Sequence, residues 1–157
     1  MKATRYLLTA TLLAMTMACS ESFTVEPFEY PKAFTGDDKK AWAIRTFQVL
    51  KVGLGTIGLR VSDCDLDDKY VFYNNPERSY QVTTGASKCT SGEESVRVDG
   101  SWSFVNASAT LTIVVPFLSD NPLPFTVKEV DNAKMVLDIY LDENTNYRVN
   151  FKPVSVE

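Results

Sequence analysis

From Trp42 onward, apolar and polar residues alternate along the chain with a period of two. The pattern is clearest near the C-terminal end, where Met135, Leu137, Ile139 and Leu141 alternate with Val136, Asp138, Tyr140 and Asp142. After Glu143-Asn144-Thr145-Asn146, Tyr147, Val149 and Phe151 alternate with Arg148, Asn150 and Lys152. Successive side chains of a strand point to opposite faces, so two such runs joined by a short polar loop predict an antiparallel hairpin with one apolar face. Further runs share this character: Ala41 to Leu50, Tyr70 to Tyr73, Ser79 to Thr84, Val96 to Val105, Thr110 to Val115 and Phe125 to Val130. Clusters of Asn, Asp, Gly and Pro separate them. Lys51 to Arg60, with Gly53, Gly55 and Gly58, reads either as a bent strand or as a loop. No long amphipathic helix interrupts the series. The expected fold is all-β: an antiparallel up-and-down barrel of about eight strands, which closes its own edges.

The N-terminal residues break this pattern. Lys2 and Arg5 precede an apolar run from Leu7 to Met17, interrupted by Thr9, Thr11 and Thr16. That run is too short to span a bilayer and reads as the core of a signal peptide. It ends in Thr16-Met17-Ala18-Cys19-Ser20, which resembles the lipobox of bacterial lipoproteins. The resemblance implies that Cys19 carries a lipid and becomes the mature N-terminus. Cleavage by ordinary signal peptidase after Ala18 is the alternative and would give a secreted protein. Three segments follow: a leader over residues 1–18, a lipidated N-terminus and flexible tether over 19–37, and a barrel domain over 38–157. By analogy, Ser20 in place of an Asp favours the outer membrane over inner-membrane retention. The tether reading rests on the two prolines and the lack of period in residues 20–37.

The cysteine count fits this reading. Of three cysteines, lipidation takes Cys19 and leaves Cys64 and Cys89 as an even pair in an oxidising compartment. A bridge between them would close a loop worth about 3 kcal/mol in the chain-entropy model. Charge narrows the partners. Loss of Lys2 and Arg5 with the leader makes a chain of net charge −4 more acidic still. An acidic body with no basic cluster argues against nucleic acid and against polybasic docking to lipid. The membrane is reached through the lipid.

The body resembles the lipocalin-like lipoproteins common in Bacteroidota, from about Lys40 to Lys152. The resemblance is carried by Trp42 in the first strand and by Cys64-Asp65-x-x-Asp68-x-Tyr70-x-Phe72. It continues through the Tyr80 strand closed by Cys89, then Gly100-Ser101-Trp102-Ser103-Phe104, then the last three strands. It implies a barrel and a cell-envelope address.

Candidate chemistry is sparse. The chain has no histidine, the commonest general base and metal ligand. With the cysteines assigned, no thiol remains for catalysis, and no cofactor is expected. In an extended segment Asp63, Asp65 and Asp67 would share one face and could hold Ca2+ through carboxylate oxygens. The alternative is a solvated, charged start to a strand. Glu93 and Glu94 invite a glycosidase reading, but their surroundings, Ser91 to Ser95, read as a solvated loop. Asn106-Ala107-Ser108 matches a glycosylation sequon and equally a turn. Trp42 and Trp102 would either stack on a ligand or pack the barrel floor. Gln48 and Glu129, with Thr46, hint at a polar cavity if they face inward.

Together these features suggest a monomeric, non-enzymatic outer-membrane lipoprotein that binds a small apolar or amphipathic molecule in the barrel mouth. Two alternatives stand beside it: a protein-interaction or inhibitor module, and a carbohydrate-binding accessory, each working through loops.

Overall fold

A computed structural model describes residues 30–105 and 110–156. The leader expected over residues 1–18, Cys19 and Asn106-Ala107-Ser108 lie outside these residues. The chain opens with helix α1 (Tyr30–Thr35), followed by β1 (Lys39–Lys51) and β2 (Gly55–Leu59). A single helical turn, α2 (Asp63–Leu66), leads into β3 (Lys69–Tyr73) and β4 (Ser79–Thr83). The remaining strands are β5 (Val96–Ser101), β6 (Ser103–Val105), β7 (Thr110–Val115), β8 (Ser119–Val130), β9 (Met135–Asp142) and β10 (Thr145–Val154).

The strands form one antiparallel sheet in the order β5-β4-β3-β1-β10-β9-β8-β7-β6, with β2 paired to β1 beside this path. The two end strands, β5 and β6, are consecutive in the chain and meet at Trp102. The run from Val96 to Val105 therefore pairs first with β4 and then with β7, bringing the sheet round into a nearly closed up-and-down barrel. Counting β5 with β6 and leaving β2 aside, the ten strands make eight staves, as the hairpin spacing predicts.

The alternation seen in the sequence fixes which side chains fill the barrel. Trp42, Ile44, Phe47 and Val49 face inward from β1, with Tyr70 and Phe72 from β3 and Tyr80 and Val82 from β4; all are buried. A bulge between Ile44 and Thr46 keeps Phe47 and Val49 on the inner face. Leu111, Ile113, Phe125, Leu137, Val149 and Phe151 complete the core from the other side. Tyr80 brings a hydroxyl into this core, where it accepts a 2.7 Å hydrogen bond from the Val114 backbone N–H and so ties β4 to β7. Gly100, next to it on β5, has no room for a side chain to spare: a Cβ would lie 3.2 Å from the Tyr80 ring.

One end of the barrel is plugged. Phe34 of α1 is buried between Phe72, at 4.1 Å between ring centroids, and Trp102, at 5.2 Å. The Trp42 indole N–H donates 2.9 Å to the Phe34 carbonyl, and Lys40 Nζ donates 2.9 Å to the Ala33 carbonyl from above the Trp42 ring. These bonds satisfy carbonyls that the end of a helix leaves unpaired. Gly36, in the left-handed region at φ 69°, closes the helix with an N–H to the Lys32 carbonyl. Residues 30–35, read from sequence as the last part of a flexible tether, thus form a helix packed into the barrel end.

The other end is finished differently. The β1–β2 hairpin runs past the barrel rim with Val52, Leu54, Ile57 and Leu59 exposed, and Tyr140 and Leu141 of the β9–β10 hairpin are exposed too. The two hairpin tips are joined by Val52 N–H donating 3.0 Å to the Asn144 carbonyl.

Candidate functional site

Trp42 and Trp102 come together at the plug. Trp42 is 0% exposed, and its only polar atom is taken by Phe34. Trp102 is buried beneath the Arg78 guanidinium, with its indole N–H donating 3.3 Å to the Tyr73 carbonyl. Gln48 and Glu129 lie elsewhere. Gln48 sits opposite Arg148 on the outer face, where its carbonyl accepts 3.2 Å from the Asn150 amide, which also reaches Thr46 Oγ at 2.9 Å. Glu129 pairs at 2.8 Å with Lys134 on the surface. A neighbouring outer-face group, Asp138, is covered by a two-pronged Arg148 guanidinium at 2.7 and 2.8 Å.

The acidic segment is not extended. Asp63–Leu66 forms one helical turn, which turns Asp65 away from the face of Asp63 and Asp67, and among the described residues the three carboxylates do not gather into a ligating group. Asp65 and Asp68 instead turn toward Arg97 on β5. One guanidinium nitrogen bonds both Asp65, at 2.8 Å, and Asp68, while Nε reaches Glu93 at 3.1 Å. Glu93 in turn accepts the Cys89 N–H. Three carboxylates thus hold one cation beside the Cys64–Cys89 disulfide, whose Cα atoms are 5.2 Å apart. Burial pushes the Asp68 carboxyl up to about 6, with Arg97 pulling the other way. The cysteine count pointed to the disulfide; the sequence carried no sign that Arg97 would gather acids from two separate segments.

This latch of Arg97, its three carboxylates and the disulfide adjoins a groove on the outside of the barrel, which Asp67, between Asp65 and Asp68 in the chain, borders. Residues Lys69, Val71 and Tyr73 of β3 and Gln81 and Thr83 of β4 project outward, opposite the core residues Tyr70, Phe72, Tyr80 and Val82. They form the floor of a groove of about 650 Å3, bounded by Lys39, by Asp67, by the Thr84-Gly85-Ala86 loop and by Val156 near the chain end. Its volume suits a small molecule, since ligand pockets run from about 300 to 1,000 Å3. The Tyr73 hydroxyl donates 3.1 Å to the Gln81 carbonyl oxygen, and the Gln81 amide donates 3.4 Å to Asp99, fixing the amide's orientation. Asp67 Oδ2 accepts 2.9 Å from the Ser87 N–H, holding the loop down, while Asp67 Oδ1 is buried with no hydrogen-bond partner. Gly85 packs directly on Asp67, where any side chain would collide with its carboxylate and carbonyl.

Chemically, the groove offers amide, hydroxyl and ammonium groups on a partly apolar floor. It has no histidine and no free thiol, and its carboxylate already accepts a backbone N–H. Such a surface can hold and orient a polar ligand. Among the described residues no helix is long and apolar enough to cross a membrane. No family model, no curated protein and no solved structure matches this chain.

Proposed function

We propose that this chain is a lipid-tethered, non-enzymatic protein of the cell envelope that binds a polar, hydroxyl-bearing ligand of carbohydrate type in the groove outside its barrel. The observation that carries this reading is a contrast. The inner face is occupied by side chains as large as Trp42, Tyr70 and Tyr80, each no more than 2% exposed, whereas the outer face of β3 and β4 carries a groove of about 650 Å3. A sugar presents hydroxyls that both donate and accept, and Gln81, Thr83, Thr84 and Lys39 offer matching partners. Val71 and Tyr73 supply the apolar patch on which a sugar ring rests. This favours the accessory role acting at the outer surface over a calyx for an apolar molecule. The lipobox-like Thr16 to Ser20 supports the envelope tether, and engagement of Glu93 and Asp65 by Arg97 supports a non-catalytic role.

Calorimetric titration against glycans selected on an array tests the reading. Binding that weakens by tenfold or more in Gln81→Ala, with the fold unchanged by circular dichroism, is the expected outcome. Stoichiometric uptake of an apolar probe, with no glycan bound, would contradict it.

A further inference from the structure

The β1–β2 hairpin presents a strand edge with none of the usual protection. Strand β2 pairs with β1 on one side, from Gly55↔Lys51 to Leu59↔Phe47, and with no other strand among the described residues. All five of its residues are exposed. The sequence Gly55-Thr56-Ile57-Gly58-Leu59 has no charge, no proline and no bulge, the devices by which natural proteins keep open edges from pairing. Ile57 and Leu59 lie opposite Val49 and Phe47 and therefore share the barrel's inner face, yet they remain 46% and 36% exposed beyond the rim. Val52 and Leu54, at the tip, are 74% and 72% exposed.

We infer that β2 is a self-pairing edge through which two copies of this chain associate, in place of the monomer that sequence alone suggests. Water can satisfy the unpaired backbone groups of this exposed edge, but the same row is also a template on which another extended segment can pair, and the edge is self-complementary. Antiparallel pairing about a two-fold axis at Gly58 sets Ile57 opposite Leu59 of the other copy, and Leu59 opposite its Ile57. Opposed residues of an antiparallel pair point to the same side, so the four apolar side chains meet as one cluster. Gly58 faces Gly58 at the axis, where the absence of side chains lets the backbones approach. Arg60 falls opposite Thr56 of the other copy, which keeps the two guanidinium groups about 14 Å apart along the strand. The segment from Lys51 to Arg60 contains no acidic residue, so no carboxylate repulsion arises along the edge. A sheet running β10-β1-β2 into its symmetry mate follows.

The Gly58→Cys substitution tests the register directly. A Cβ at Gly58 meets nothing within 4 Å and the residue has no left-handed φ, so cysteine fits there without strain. Across the axis the two Cα atoms would lie about 4.5–5.5 Å apart, inside the range that a disulfide bridges. The full chain carrying Gly58→Cys, purified in detergent and treated with copper phenanthroline, is expected to run as a disulfide-linked dimer that reductant dissolves. Ile57→Lys added to that background is expected to reduce the dimer band at least tenfold. Cysteine at Val52, also exposed but off the axis, is expected to cross-link far less. A Gly58→Cys chain that reacts fully with maleimide yet yields no dimer would overturn the proposal. So would cross-linking as efficient from Val52 as from Gly58, or capture of a different protein in place of a second copy.

Discussion

The two ends of the barrel are made of hairpins with the same alternating pattern and finished in opposite ways. At the plugged end, α1 drives Phe34 between Phe72 and Trp102, and indole and ammonium groups tie the helix carbonyls. At the other end the hairpins simply run on, and their inner-face side chains emerge into solvent at Ile57 and Leu59. The same period of two therefore means burial at one end and a surface at the other; what differs is whether a further element covers the residues. The plugged end is tied by ring contacts and hydrogen bonds, whereas the open end leaves its apolar side chains in solvent.

The largest expected effect lies at the plug. Trp42→Ala removes the biggest fully buried side chain and its hydrogen bond to α1, and chemical denaturation should show a loss of about 3–5 kcal/mol. A loss below about 1 kcal/mol would mean that the interior tolerates a void and is looser than its packing indicates. Next comes the latch beside the groove. Replacing Cys64 and Cys89 by serine should cost about 3 kcal/mol, read as a lower denaturation midpoint, and should loosen the Thr84-Gly85-Ala86 wall before it affects the plug. Hydrogen exchange would locate that loosening.

A pH titration sharpens the same contrast. Asp68 in the folded chain holds its proton up to about 6, against 3.8 for the ordinary group. Between these values the folded state binds more protons than the unfolded one, so this group makes stability fall as pH rises from about 4 to about 6, after which its contribution levels off. Melting curves of the wild-type chain and of Asp68→Asn should differ in slope across that window, with the slope shallower in the variant. Equal slopes would place the group outside the buried cluster. The smallest effect is expected at the open end. Leu54→Ala, at a residue 72% exposed, should change stability by less than about 0.5 kcal/mol.

Much of the barrel was legible because alternation reports which face is buried, whatever covers it. The hairpin from Met135 to Phe151 follows its sequence pattern closely, and the pair Cys64–Cys89 is bridged. The first half of β8 was hidden because Pro122 and Pro124 read as strand breakers; the strand in fact runs from Ser119. α1 was hidden because six residues are too few to show a helical period. Asp63 to Asp67 looked extended, since acidic residues spaced by two carry no helical signal, yet Asp63–Leu66 forms a helical turn. The groove was unreadable for a different reason. The outward positions of Val71, Tyr73 and Gln81 follow from alternation, but their enclosure depends on a loop held by Asp67 and Ser87 and on the chain end at Val156. Those are contacts between distant segments, which local pattern does not encode.

The central claim is that the barrel is filled and that binding belongs to its outside. Collisional quenching by acrylamide tests it in the Trp102→Phe chain, where Trp42 is the sole tryptophan. A solid interior predicts blue-shifted Trp42 emission that acrylamide barely quenches and that a saturating apolar ligand leaves unchanged. Efficient quenching, relieved when an apolar ligand is added, would reveal an open calyx around Trp42 and contradict the account.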